Sequence, residues 1–175
     1  MNARTTLPAL ALVTSLLGCT GMTTSGPSAV AKLEPTRGNV TAGTATFRQH
    51  ADGVMLQVSV EGLKPGQEHG FHIHEKGDCS SGDGMSTGGH FNPGGKPHGA
   101  HASAERHAGD LPSLKADAAG RAEMRVPLSG LAIGSGATDI VGRGLIVHAM
   151  PDDFKTQPTG NAGARIACGV IARQP

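Results

Sequence analysis

The chain has 175 residues, 15 Lys and Arg against 14 Asp and Glu, no Trp or Tyr and only four Phe. That length suits one domain around a single core. A formal charge of +1 and almost no aromatic surface leave nothing to attract nucleic acid or to stack on its bases, which excludes a nucleic-acid binder.

Near the N-terminus one cation, Arg4, precedes a mostly apolar run from Leu7 to Leu17. The run is too short to span a bilayer and suits the hydrophobic part of an export signal over residues 1–18. It ends Leu16, Leu17, Gly18, Cys19, which resembles the bacterial lipobox, whose cysteine is lipidated and becomes the mature N-terminus. An ordinary cleaved secretory signal is the other reading. Both place the folded part outside the cytoplasm, and the lipobox reading places it in the bacterial cell envelope or periplasm. Thr20, where a retained inner-membrane lipoprotein has aspartate, points to the outer membrane, with the lipid as the sole membrane contact. Losing Arg4 with the signal leaves 15 − 1 = 14 cations against 14 anions, a formally neutral chain. Residues 19–28 are rich in Thr, Ser, Gly and Pro, the composition of a flexible tether, and a single domain is expected over 29–175.

Short apolar or alternating runs follow: Ala29–Leu33, Ala42–Phe47, Val54–Val60, Gly70–His74, Leu114–Ala116, Arg121–Val126, Gly144–His148 and Ile166–Ile171. Turn signals such as Asp52-Gly53 and Lys64-Pro65-Gly66 separate them. Val54, Leu56, Val58 and Val60 alternate with Met55, Gln57, Ser59 and Glu61, the clearest half-buried strand. Eight short strands without helical periodicity predict an all-β sandwich or flattened barrel. Two segments, Glu75–Leu111 and Ala149–Ala164, are too long and polar for hairpin turns, and loops of that size are usually functional.

The histidines gather around the first of these loops. His72 and His74, two apart on a strand, project to one face, with Phe71 and Ile73 on the other. Alone, such a pair is equally at home on a solvated strand face. His90, His98, His107 and Asp110 follow, three imidazoles and a carboxylate, which match the ligand count and chemistry of a closed zinc site. His148 stands far downstream at the end of the run Gly144–Val147 and reaches the first pair only through the fold.

Three separated blocks resemble the copper, zinc superoxide dismutases, in the short-loop form of bacterial envelopes. They are His69 to Glu75; Gly88 to Pro93 continuing through Glu105 to Asp110; and Gly160 to Ile171. The resemblance spans Ala29 to Ala172 and implies an eight-stranded antiparallel Greek-key barrel. It implies one copper at His72, His74, His90 and His148, and one zinc at His90, His98, His107 and Asp110, with His90 bridging the two. It places Asp152 on the free ring nitrogens of His72 and His98, His69 behind the copper site, and Arg165 as the group that draws in the anion. The implied reaction is disproportionation of superoxide to dioxygen and hydrogen peroxide, with His90 supplying a proton. A non-catalytic envelope protein that buffers copper and zinc is the alternative. Whether the chain pairs as a homodimer stays open. Two departures weaken any inherited steering field. The second long loop is shorter than in the eukaryotic form, and the segment between Cys79 and His90 is acidic at Asp83 and has no lysine, which leaves Lys76 and Lys155 as candidates.

With Cys19 assigned to lipid, Cys79 and Cys168 form an even pair in an oxidising compartment and are expected as a disulfide that ties the first loop to the last strand. Metal ligation by these cysteines is the competing reading. His50 is expected in solvent beside its turn, and His101 as an exposed loop residue.

Overall fold

The computed structural model describes Met1 and residues 26–175. The export signal over 1–18, Cys19 and most of the tether lie outside the described residues. Among the described residues there is no α-helix, and ten strands and one 3-10 turn (Met85–Thr87) form.

Four long strands form where alternation is cleanest: β1 (Ser28–Pro35), β2 (Ala42–His50), β3 (Gly53–Glu61) and β7 (Ala122–Leu128). Leu56, Val58 and Val60 of β3 are buried while Gln57, Ser59 and Glu61 are exposed, as a pleat with one wet face requires. The expected strand at Gly70–His74 is divided into β4 (Glu68–His69) and β5 (Phe71–His74). Gly70 breaks it because its N–H and C=O are bonded to Met150 and His148 rather than to a neighbouring ladder. The rest are β6 (Leu114–Lys115), β8 (Gly144–His148), β9 (Arg165–Val170) and β10 (Ala172–Arg173). Ser28, assigned above to the tether, already belongs to β1 and pairs with Arg48.

The main sheet runs β5-β8-β9-β1-β2-β3-β7, all antiparallel, with β10 added against the start of β1. β1 joins its two halves, since Ser28–Leu33 pair with β2 and Glu34–Pro35 with β9. The chain passes from one half to the other between β3 and β5 and again between β7 and β8, which gives the Greek-key order. The sheet curls around Leu33, Phe47, Leu56, Phe71, Ile73, Leu145 and Val147, all at most 1% exposed.

Alternation on β5 and β8 then decides where the chemistry lies. Phe71, Ile73, Leu145 and Val147 fill the core, so His72, His74, Ile146 and His148 point to the opposite face. The two long loops, free of strands as expected, cover that face.

Candidate metal centre

The free edge of β5 is closed by the first loop. Ile73 N–H donates to Gly109 O at 2.9 Å, Phe91 N–H to Ile73 O at 2.8 Å, and Gly109 N–H to Phe91 O at 2.9 Å. His90 is thereby set opposite His74, and Asp110 opposite His72. This approach depends on Gly109, where a β-carbon would stand 2.2 Å from the Ile73 carbonyl oxygen. β8 brings His148 in from the other side.

Two groups of four result, each with its donor atoms within 4.8 Å of one another: His72, His74, His90 and His148, and His90, His98, His107 and Asp110. All seven residues are buried. In the first group every imidazole has one nitrogen engaged outward. His72 Nε2 is 2.7 Å from Asp152 Oδ2, His74 Nδ1 is 3.0 Å from Gly88 O, His148 Nδ1 is 3.1 Å from Gly163 O, and His90 Nδ1 is 2.9 Å from Asp110 Oδ1. A carbonyl or carboxylate only accepts, so for His72, His74 and His148 the outward nitrogen carries the hydrogen and the inward one is a bare lone pair. The four inward nitrogens, His72 Nδ1, His74 Nε2, His90 Nε2 and His148 Nε2, are buried without a hydrogen-bond partner. Four convergent nitrogens without partners, three of them fixed as lone pairs, fit a cation, and imidazole nitrogen suits copper.

In the second group the donor atoms crowd one carboxylate oxygen. Asp110 Oδ1 is 2.9 Å from His90 Nδ1, 3.0 Å from His98 Nδ1 and 3.3 Å from His107 Nδ1, and the His90 and His107 nitrogens are 3.4 Å apart. Ligands on metal–donor bonds of about 2.0–2.1 Å lie about 3.3 Å apart at the corners of a tetrahedron, so the spacing fits zinc. Asp110 Oδ2 is held by the N–H groups of Gly99 and His107 at 3.1 and 2.9 Å. His90 belongs to both groups, with Nε2 in the first and Nδ1 in the second.

Asp152 ties the groups together, with Oδ2 on His72 and Oδ1 on His98 Nε2 at 2.9 Å. Burial alone would raise its pKa, but hydrogen bonds from His72 and His98 hold it well below the usual carboxylate range; Asp110 behaves likewise through His90 and His98. Burial lowers His72 to about 4 and His148 to about 3, against 6.5 ordinarily, and pushes His74 well below that value. Those rings are neutral at pH 7 and ready to ligate. His98 is the exception. Burial would lower it too, but it lies between Asp110 and Asp152 and is raised to about 9.

Arg165, at the start of β9, is half-buried. Its Nη1 donates to Gly84 O at 2.7 Å and Thr87 Oγ1 at 2.8 Å, and its Nη2 to Gly88 O at 2.8 Å. Since Gly88 O also accepts from His74, one carbonyl links the cation to the first group. His69 is buried behind it, with Nδ1 2.8 Å from His148 O. Cys79 and Cys168 are bonded to each other and are not ligands. His50 is exposed. His101 is half-buried rather than exposed, and its Nδ1 lies 3.1 Å from Asp110 O, outside both groups. Lys76 and Lys155 are exposed.

Sequence reasoning missed several supports. Gln157 clamps His98 from the second loop, accepting from His98 N–H at 2.8 Å and donating to His98 O at 2.9 Å. Gly88 and Gly163 serve through carbonyls that any residue possesses. Gly160 serves by having no side chain, a role that its place at the start of the third block does not announce.

The family model described as copper/zinc superoxide dismutase matches residues 41–171. Among solved structures, the chain is similar to a clock protein, EA4, at 40% identity and a TM-score of 0.77, over 85% of this chain and 96% of that one. It is also similar to a SOD-like protein from Bacillus subtilis, at 35% identity and a TM-score of 0.73 over 81% of this chain and 96% of that one. A double mutant of a SOD-like protein from that organism, with a tyrosine and a proline each replaced by histidine, matches at 37% identity and a TM-score of 0.74, over 82% and 96%.

Proposed function

Because the chain belongs to the copper/zinc superoxide dismutase family, we propose that it disproportionates superoxide to dioxygen and hydrogen peroxide, with copper at the four-histidine group and zinc at its neighbour. Bound copper supplies one-electron chemistry by cycling between Cu(II) and Cu(I), while zinc, which has no redox chemistry, supplies fixed charge and geometry. The observation that carries the reading is the sharing of His90, combined with a cation tied to the same carbonyl as His74.

The chain's own residues do the rest. Asp152, Gly88 O and Gly163 O fix the ring orientation and tautomer of His72, His74 and His148, so their lone pairs are aimed before any metal arrives. His90 Nδ1 is engaged among Asp110 and His107, which leaves Nε2 as the ring nitrogen able to hold a proton and pass it to the departing peroxide. Arg165 keeps its charge although burial lowers its pKa, because a guanidinium stays protonated far above neutral pH. It supplies attraction for the anion. The export-signal composition and the Cys79–Cys168 bond support an oxidising envelope compartment, with Cys19 as the anchor in the outer membrane.

The test is superoxide decay followed by stopped flow with the metal-loaded protein, the same protein stripped of copper, and Arg165→Ala. Turnover that disappears without copper and falls roughly tenfold or more in the variant supports the enzyme. Uptake of both metals without turnover overturns it in favour of a copper and zinc buffer, the reading that needs the ligands but not Arg165.

A further inference from the structure

Arg143 stands immediately before β8, and its main chain is held from two sides. Its N–H donates to Ile140 O at 3.2 Å, and its carbonyl accepts from Ile171 N–H at 2.9 Å. From this fixed base the partly buried side chain crosses to the first loop, where Nη1 donates to Glu75 O at 2.6 Å and the guanidinium carbon lies 4.5 Å from the centre of the Phe91 ring. Nε donates to Asp139 O at 3.4 Å. Glu75 directly follows His74, and Phe91 directly follows His90. The two stretches are also joined by main chain, since Glu75 N–H donates to Gly89 O at 3.0 Å and Phe91 N–H to Ile73 O at 2.8 Å.

We propose that Arg143 is a positioning residue for the four-histidine group, holding His90 at a fixed separation from His74. His74 lies on β5 and is held by its ladder to β8, whereas His90 comes from a loop and meets β5 through a single isolated bridge. The loop therefore needs a second attachment. A guanidinium donates hydrogen bonds in its plane and stacks through its face, so one side chain grips the carbonyl beyond His74 and the ring beyond His90 at the same time. An ammonium group is a point charge without that plane, and does not reproduce both contacts. The inference rests on copper at the four-histidine group and names what keeps that site in register. Its sign separates it from an effect of charge. Removing a cation near a cation site raises metal affinity by Coulomb's law, whereas releasing His90 lowers it.

The test equilibrates the zinc-loaded full chain with Cu(II) against a chelator, for the unaltered protein, Arg143→Gln, Arg143→Lys and Arg125→Gln, and records the electron paramagnetic resonance spectrum of each copper form. Arg125, exposed on β7, gives the same change of net charge away from the site. Arg143→Gln is expected to lower copper affinity roughly 10–100-fold, as loss of a group that orients ligands does. Arg143→Lys should lower it by a smaller factor although the charge is kept, Arg125→Gln should leave it unchanged, and only the two Arg143 variants should shift the spectrum. In the metal-free protein, Arg143→Gln should speed hydrogen exchange at the Glu75 and Phe91 amides roughly tenfold or more, with the amides of β2 and β3 unchanged. Affinity that is unchanged or raised in Arg143→Gln, full rescue by Arg143→Lys, or exchange that accelerates equally across β2 and β3 would overturn the positioning role. If the unaltered protein takes up no copper, the proposed function fails, while the exchange measurement still decides on Arg143.

Discussion

At Gly160 the chain has no room for a side chain. A β-carbon there would stand 1.8 Å from Asp152 Oδ1 and 2.5 Å from His98 Nε2, and φ is +66°. Gly160→Ala must displace Asp152 from both rings, so copper and zinc affinity are each expected to fall about 10–100-fold in a chelator competition; unchanged affinity would mean that Asp152 does not orient the ligands. The residues that gather into the two groups were legible because histidine and aspartate declare their chemistry and recur at readable spacing. Gly160, Gly88 and Gly163 were not, since an absent side chain or a main-chain carbonyl has no signature in composition. Titration gives a second prediction, for the metal-free protein. Burial holds His72 near 4 and His148 near 3, so below about pH 6.5 the unfolded chain binds more protons than the folded one and stability falls as pH drops. His98, raised to about 9 by Asp110 and Asp152 against the effect of burial, contributes fully below about pH 6.5 and loses that contribution as pH climbs toward 9. Thermal melting of the metal-free protein should therefore peak near pH 6.5 and decline on both sides, and a melting temperature that rose steadily to pH 9 would contradict the assignment of His98.

The strands were legible in proportion to their alternation. β3 and β8 stand nearly where their apolar runs predicted, whereas the stretch after β7, to which no element was assigned, buries Leu131, Ile133 and Ile140 in the core. It carries no regular period, so only the packed fold reveals it. Likewise nothing local announced that Gly70 would divide β4 from β5. The disulfide acts on elements rather than residues, tying the loop that carries Asp83 and His90 to β9, which carries Arg165. It closes a separation of 89 residues. For a loop of that length the chain-entropy model gives roughly 4 to 5 kcal/mol at most. Cys79→Ser/Cys168→Ser is expected to lose stability up to that amount in denaturant unfolding of the metal-free protein, and a change below about 0.5 kcal/mol would show that the bond does not constrain the unfolded chain.

The whole molecule draws two candidate metal sites from distant parts of one chain. β5 supplies His72 and His74, the first loop supplies His90, His98, His107 and Asp110, β8 supplies His148, and the second loop supplies Asp152 to lock them. Such convergence follows from sheet order, not from any local pattern. The most direct test is therefore the copper and zinc content per chain, after equilibration against a chelator, in the unaltered protein and in His90→Ala, His148→Ala and His107→Ala. One copper and one zinc are expected without substitution, with His148→Ala losing chiefly copper, His107→Ala chiefly zinc, and His90→Ala weakening both. If His90→Ala weakened only one metal, the two sites would be independent and the shared imidazole would be contradicted.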